Sequence, residues 1–121
     1  MMKKGVISKA DGGLANMIGK SVFLRTFGDS TMNRVLDFLT VFDNFDYSIA
    51  DIAENANVGY STLKILIKDL EKRKIVIETR ISGRNKMYKL NRNNSLVERF
   101  VQFYWDITNQ KARELVKPML A

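Results

Sequence analysis

The chain has 121 residues, enough for one domain and too few for two ordinary ones. Its composition, 45% hydrophobic and 27% charged with a single Pro, is that of a globular protein, and a net charge of +7 favours a polyanionic partner. Cys and His are both missing, which excludes a disulfide scaffold, a zinc finger and a thiol switch and removes the commonest metal ligand and general base. No metal and no cofactor is therefore expected, and a reducing cytoplasm fits the composition.

The N-terminal run Met1-Met2-Lys3-Lys4-Gly5-Val6-Ile7-Ser8-Lys9 is basic but lacks the apolar stretch of a secretory signal, and no later run approaches a membrane span. A soluble, cytoplasmic protein with no membrane partner is expected. Charge is unevenly distributed. Residues 1–28 carry five basic groups and one acid, 29–60 one basic group and six acids, 61–93 ten basic groups and three acids, and 94–121 four and three. The basic surface is thus local to the third block, and the acids Asp29, Asp37, Asp43, Asp46, Asp51 and Glu54 lie in the second.

Residues 1–28 form an N-terminal arm. Within it the stretch 14–27 fits a helix through Leu14, Met17, Ile18 and Leu24 and equally a strand through Val22, Leu24 and Thr26. Residues 30–43 put Met32, Val35, Leu36, Leu39 and Phe42 at helical spacing behind Asp29 and Ser30, either of which can cap a helix. Asp43-Asn44-Phe45-Asp46 is turn chemistry. Ser48 with Asp51 three residues on opens a short helix, with Ile49, Ile52, Ala53 and Ala56 inward, ending near Asn55. Asn57-Val58-Gly59 breaks the pattern, and from a Gly59 cap a third helix runs over Tyr60 to Arg73 with Leu63, Leu66, Ile67 and Leu70 on one stripe.

From Ile75 the period changes to two: Ile75, Ile77, Thr79 and Ile81 alternate with Val76, Glu78 and Arg80, and Met87 to Leu90 forms a second extended run. Ser82-Gly83-Arg84-Asn85-Lys86 between them predicts a hairpin loop with a basic tip. Ser95-Leu96-Val97-Glu98 is a capping box, and a helix of about 21 residues, about 31 Å, follows until Pro118.

This order (helix, short helix, turn, helix, β-hairpin, long helix) resembles the winged helix-turn-helix domain of small prokaryotic transcription regulators of the ArsR/MarR-like type. Val58-Gly59-Tyr60-Ser61-Thr62-Leu63 resembles their turn and recognition-helix start, Leu70-Glu71-Lys72-Arg73-Lys74-Ile75-Val76 their helix exit, and Arg80-Ile81-Ser82-Gly83-Arg84 with Tyr88-Lys89-Leu90 their wing. About 62 residues, Thr31 to roughly Arg92, are covered, and agreement of several weak pieces in order and spacing outweighs any one of them. The sequence departs from the family at Lys74, where Gly is usual, and at Gly59, where Ser is common. The resemblance implies an α+β, mostly helical fold: a winged domain over 29–93 and a C-terminal dimerisation helix over 94–121.

On the third helix, Ser61, Lys64, Ile65, Lys68 and Lys72 lie opposite the apolar stripe. Placed in a major groove, Tyr60, Ser61 and Thr62 would meet base edges or phosphate, Lys64 and Lys68 phosphate or guanine, and Ile65 a thymine methyl; the bland alternative is a solvated helix face. Arg80, Arg84 and Lys86 lie on or beside the hairpin, where Arg84 at the tip could enter a minor groove and Arg80 and Lys86 could meet phosphates, while Lys89 is as readily a device that blunts a sheet edge. On the last helix Leu96, Val97, Phe100, Val101, Phe103, Tyr104, Trp105 and Ile107 spread over about 220° of the circumference, against the ~100° that one domain covers. The surplus points to a twofold mate contacted by Val97, Phe100, Val101, Tyr104 and Trp105, unless the 14–27 segment covers it. The margin Val97, Val101, Trp105 and the margin Phe100, Phe103, Ile107 are expected to divide between domain and partner.

Asp43 with Asp46, and Asp51 with Glu54, are close carboxylates, but no phosphate loop, nucleophile with a base or metal-ligand set accompanies them, so catalysis is not expected. Asp46 and Asp51 are expected to offset helix N-termini. The function expected is homodimeric, sequence-specific binding of double-stranded DNA in transcription regulation. The alternatives are a winged-helix protein interaction module and a replication or mobile-element DNA binder.

Overall fold

The computed structural model describes residues 20–120, with side chains through Val116. Helices α1 (Val22–Phe27), α2 (Thr31–Val41), α3 (Ile49–Ala56) and α4 (Tyr60–Lys72) precede strands β1 (Val76–Ser82) and β2 (Asn85–Leu90), and α5 (Ser95–Leu120) closes the chain. The expected elements over 29–93 appear in the expected order. The arm reading resolves in part: Val22–Phe27 is helical, and the rest of 1–28 below Lys20 lies outside the described residues.

Serine starts the first three helices. The Oγ of Ser21, Ser30 and Ser48 accepts from the amides of Leu24, Asn33 and Asp51 at 3.0, 3.2 and 3.1 Å, so Ser30, and not Asp29, caps α2. Asn33 Nδ2 donates back to the carbonyls of Gly28 (3.0 Å) and Phe27 (3.3 Å), stitching α2 to the end of α1. Both α3 and α4 end in a Schellman turn. Val58 N–H donates to Ala53 O and Ile75 N–H to Leu70 O, each at 2.9 Å, with Asn57 (φ 56°) and Lys74 (φ 63°) in the left-handed conformation. Lys74 thus takes the conformation that glycine adopts more readily.

β1 and β2 pair antiparallel from Val76↔Leu90 to Ser82↔Asn85, with a bulge between Glu78 and Arg80. The strands continue closer to the tip than the sequence suggests: instead of a five-residue loop, only Gly83 and Arg84 turn the chain, with Gly83 at φ 62° as a type II′ turn requires. Tyr47 forms an isolated antiparallel bridge to the wing through two backbone hydrogen bonds with Tyr88, at 2.9 and 2.8 Å.

One core unites these elements: Val35, Phe38 and Leu39 of α2, Ile52 of α3, Leu63, Ile67 and Leu70 of α4, Val76, Tyr88 and Leu90 of the wing, and Val97 and Val101 of α5. Of the helical stripes read from sequence, Val35, Leu39, Ile52, Ala53, Ala56, Leu63, Ile67 and Leu70 are buried, Met32, Leu36, Phe42, Ile49 and Leu66 pack at the margin, and Phe38 is added. Helix α1 packs on α5: Phe23 contacts Phe100 edge-on at 5.3 Å and Tyr104 at 5.7 Å, and Phe27 meets Phe103 at 5.6 Å.

Candidate nucleic-acid interface

The core stripe of α4 leaves its other side in solvent. Tyr60, Ser61, Thr62, Lys64, Ile65 and Lys68 are all exposed, Ile65 at 73%. A single exposed aliphatic side chain is ordinary on a protein surface; this one lies among Ser61, Lys64 and Lys68 on a basic face. No side chain caps this helix, because its N-cap is Gly59. Lys64, Lys68 and Lys72 make no ion pair with a described residue, whereas Arg73 is held by Asp69 at 2.8 Å.

The wing follows α4 and shares its core. Arg84 sits in the two-residue turn, exposed and without a described acidic partner. Lys86 is exposed and only loosely paired with Glu78 at 3.9 Å, and Lys89 is half-buried. Ile81, 64% exposed, stands across from Lys86 just below the tip. Alternation along the sequence alone does not say which residues of an outer hairpin lack cover.

Arg80 is placed otherwise than expected. Its guanidinium is committed to Asp46, Nε to Oδ2 at 2.9 Å and Nη2 to Oδ1 at 3.0 Å, so it is not a free cation for phosphate. Asp46 also accepts from Thr79 Oγ1 at 2.5 Å, and these donors hold its carboxyl at about 2. Asp46, expected to offset a helix N-terminus, is tied to the wing, and no spacing rule could have found a pair 34 residues apart. Asp43 likewise receives Arg92, which also grips Glu98. Two of the acids that raised the question of catalysis are therefore occupied by arginines.

The last helix divides differently from either expected margin. Val97, Val101 and Tyr104 are 4, 6 and 1% exposed and belong to the protomer's own core, so the expectation that they meet a partner is corrected. Val97 and Val101 belong to the common core, while Tyr104 donates to Asp37 Oδ1 at 2.6 Å; burial and that bond push its phenol up. Phe100 is half-buried under α1. Trp105 remains outward at 40%, together with Phe103 (41%) and Phe27 of α1 (54%), and residues 109–116 are all exposed.

A recognition-type helix after a tight turn, a basic two-stranded wing and flanking helices make this a winged helix-turn-helix fold. No protein-family model matches the chain, and no curated protein is significantly similar to it. The solved structures it resembles include MepR, a transcription regulator of the Staphylococcus aureus multidrug efflux pump MepA, at a TM-score of 0.57 and 19% identity over 91% of this chain and 73% of that one. Against NadR in complex with 4-hydroxyphenylacetate the TM-score is 0.61 at 17% identity, over 99% of this chain and 91% of that one. Against the homodimeric winged helix-turn-helix domain of Mb0332 from Mycobacterium bovis, a possible ArsR-family regulator, it is 0.53 at 14% identity, over 89% and 93%. Against Lactococcus lactis ZitR in complex with DNA it is 0.53 at 16% identity, over 70% of this chain, and the chain spans 60% of the length of that ZitR chain. Among the described residues no helix is long and apolar enough to cross a membrane, and no group of three acids, His or Cys is arranged to hold a metal ion.

Proposed function

We propose that the chain is a homodimeric transcription regulator that binds double-stranded DNA sequence-specifically, with α4 in the major groove and the wing tip on the flanking backbone or minor groove. The observation that carries this reading is the division of cations. Arg73, Arg80 and Arg92 are spent on acids, while Lys64, Lys68 and Arg84 are exposed and without a described acidic partner on the surface where a winged helix meets DNA. On the exposed face of α4, Ile65 has the chemistry to read a thymine methyl, and Lys64 with Lys68 that of phosphate or guanine contacts. Fold likeness to ZitR, whose structure includes DNA, and to the homodimeric Mb0332 domain supports both halves of the proposal.

The mate is assigned to a corrected surface: Phe103 and Trp105 of α5 with Phe27 of α1, in place of the buried Val97, Val101 and Tyr104. Phe103 and Phe27, whose ring centroids lie 5.6 Å apart, form an exposed aromatic pair of the kind that association covers, and Trp105, about 200° further round α5, offers a second exposed aromatic side chain. A twofold dimer would present two α4 helices to paired half-sites.

Salt dependence tests the phosphate grip. With Lys64, Lys68, Arg84 and Lys86 on phosphates in each protomer, a dimer neutralises about eight, and log affinity should fall with log salt at a slope near −7, roughly 10⁴-fold between 50 and 200 mM. A slope near zero overturns the reading and favours a protein interaction module. Selection of bound sites from a random DNA pool then reads out specificity and symmetry together, a palindromic motif being expected.

A further inference from the structure

The loop between α2 and α3 is fastened to the wing at three points. Tyr47 exchanges two backbone hydrogen bonds with Tyr88. Asp43 takes Arg92 at the wing's exit, and the same guanidinium reaches Glu98 at the start of α5. Between them, Asp46 receives Arg80 in the bidentate geometry that fixes direction as well as distance, and accepts from Thr79. These last contacts fall at the bulge of β1, where the register shifts between Glu78 and Arg80. A bulge bends a strand and increases its twist, so whatever fixes it sets where the outer hairpin points. Beyond it, residues 81–86 are exposed throughout and make no core contact that could orient them. The Asp46 side chain is 13% exposed and seated in the domain, while Arg80 is 53% exposed on the wing.

We infer that Asp46 and Arg80 are a positioning pair, in which Arg80 serves DNA binding through Asp46, by fixing the angle at which the outer wing leaves the domain, rather than by touching phosphate. The inference rests on the DNA-binding reading above. It carries a sign that bulk electrostatics does not. Neutralising an acid on a DNA-binding surface should tighten binding, since it raises net charge and releases an arginine. If the pair instead aims Arg84 and Lys86, the same neutralisation loosens binding by misdirecting them.

The test compares Asp46→Asn, Arg80→Ala, the double variant and Arg80→Lys on one duplex at one salt, with Asp51→Asn as an equal charge change on α3. Each single variant is expected to weaken binding about tenfold, the double variant no further, and Arg80→Lys to fail to rescue, because an ammonium keeps the charge and loses the bidentate fork. Tighter binding by Asp46→Asn, or full affinity in Arg80→Lys, overturns the inference. A second arm needs no DNA: in the free protein, amide exchange over 81–86 should rise in Asp46→Asn and in Arg80→Ala while that of α2 and α4 stays unchanged. Unchanged exchange in the wing refutes the pair's role even if DNA binding is lost. Failure of the unsubstituted protein to bind DNA, with the exchange result as expected, refutes the DNA reading and leaves the wing mount standing. Should either single variant unfold, the charge exchange Asp46→Arg with Arg80→Asp restores an ion pair, and its wing exchange decides.

Discussion

Lys74 ends α4 with φ at 63°, the conformation in which a Cβ crowds the following carbonyl. The cost of this geometry is about 1–2 kcal/mol for a residue with a side chain, and glycine avoids it. Against this, glycine has more freedom to lose on folding, about 0.4–1 kcal/mol. The backbone bonds that need this turn are untouched by the side chain: Lys74 N–H to Glu71 O at 3.0 Å, Ile75 N–H to Leu70 O at 2.9 Å, and the Lys74 carbonyl accepting from Asn91 and Asn94 at 2.9 and 3.0 Å. Lys74→Gly should therefore stabilise the protein by about 0.5–1 kcal/mol, a rise in melting temperature of about 3 °C for a chain of this length. Lys74→Ala removes the same charge but keeps the Cβ and should gain nothing. Asn57→Gly, at φ 56°, should gain less than Lys74→Gly, since asparagine tolerates the left-handed region. Urea unfolding at one fixed protein concentration measures all three. A Lys74→Gly variant no more stable than Lys74→Ala would refute the assignment of strain to this position.

Acid sensitivity should trace partly to Asp46. Its carboxyl titrates at about 2 in the folded chain, below the ordinary 3.8, so its contribution is present above about pH 4 and is lost as pH falls toward 2. With solvent screening of the exposed Arg80, that contribution is about 1 kcal/mol, and Asp46→Asn should flatten the pH dependence of stability in this window, as followed by urea midpoints. Ile65→Ala should alter which sequences are preferred, whereas Lys68→Ala should weaken all alike, because an apolar base contact carries sequence information and a phosphate contact does not; a selected motif unchanged in Ile65→Ala would make that side chain a bystander. Arg84→Ala should cost more affinity than Lys89→Ala, as the former stands in the turn and the latter is half-buried on the strand, and equal losses would count against a wing that reaches DNA. Val101→Glu should unfold the protomer, since it puts an unpaired carboxylate in the core, while Phe103→Glu with Trp105→Glu should give a folded monomer by light scattering; a monomeric unsubstituted protein at micromolar concentration would sink the dimer.

Local physics made most of the fold legible in the sequence. Ser48 three residues before Asp51, the spacing of Leu63, Ile67 and Leu70, the Gly59 cap and the change of period at Ile75 each act within a few residues, and each element stands where those signals put it. The basic outer face of α4 was legible for the same reason, because a helix that buries one stripe must expose the opposite one. Tertiary structure decided what depends on partners far along the chain. Helical spacing shows that the apolar residues of α5 are spread widely round it, but only the packing of the protomer shows that Val97, Val101 and Tyr104 are consumed inside it while Phe103 and Trp105 are left over. In the wing, composition counts Arg80 and Arg84 as equal positive charges, and the fold separates them: Asp46, distant in sequence and adjacent in space, claims one and leaves the other at the tip, since charge pairing is set by proximity in three dimensions and not by order along the chain.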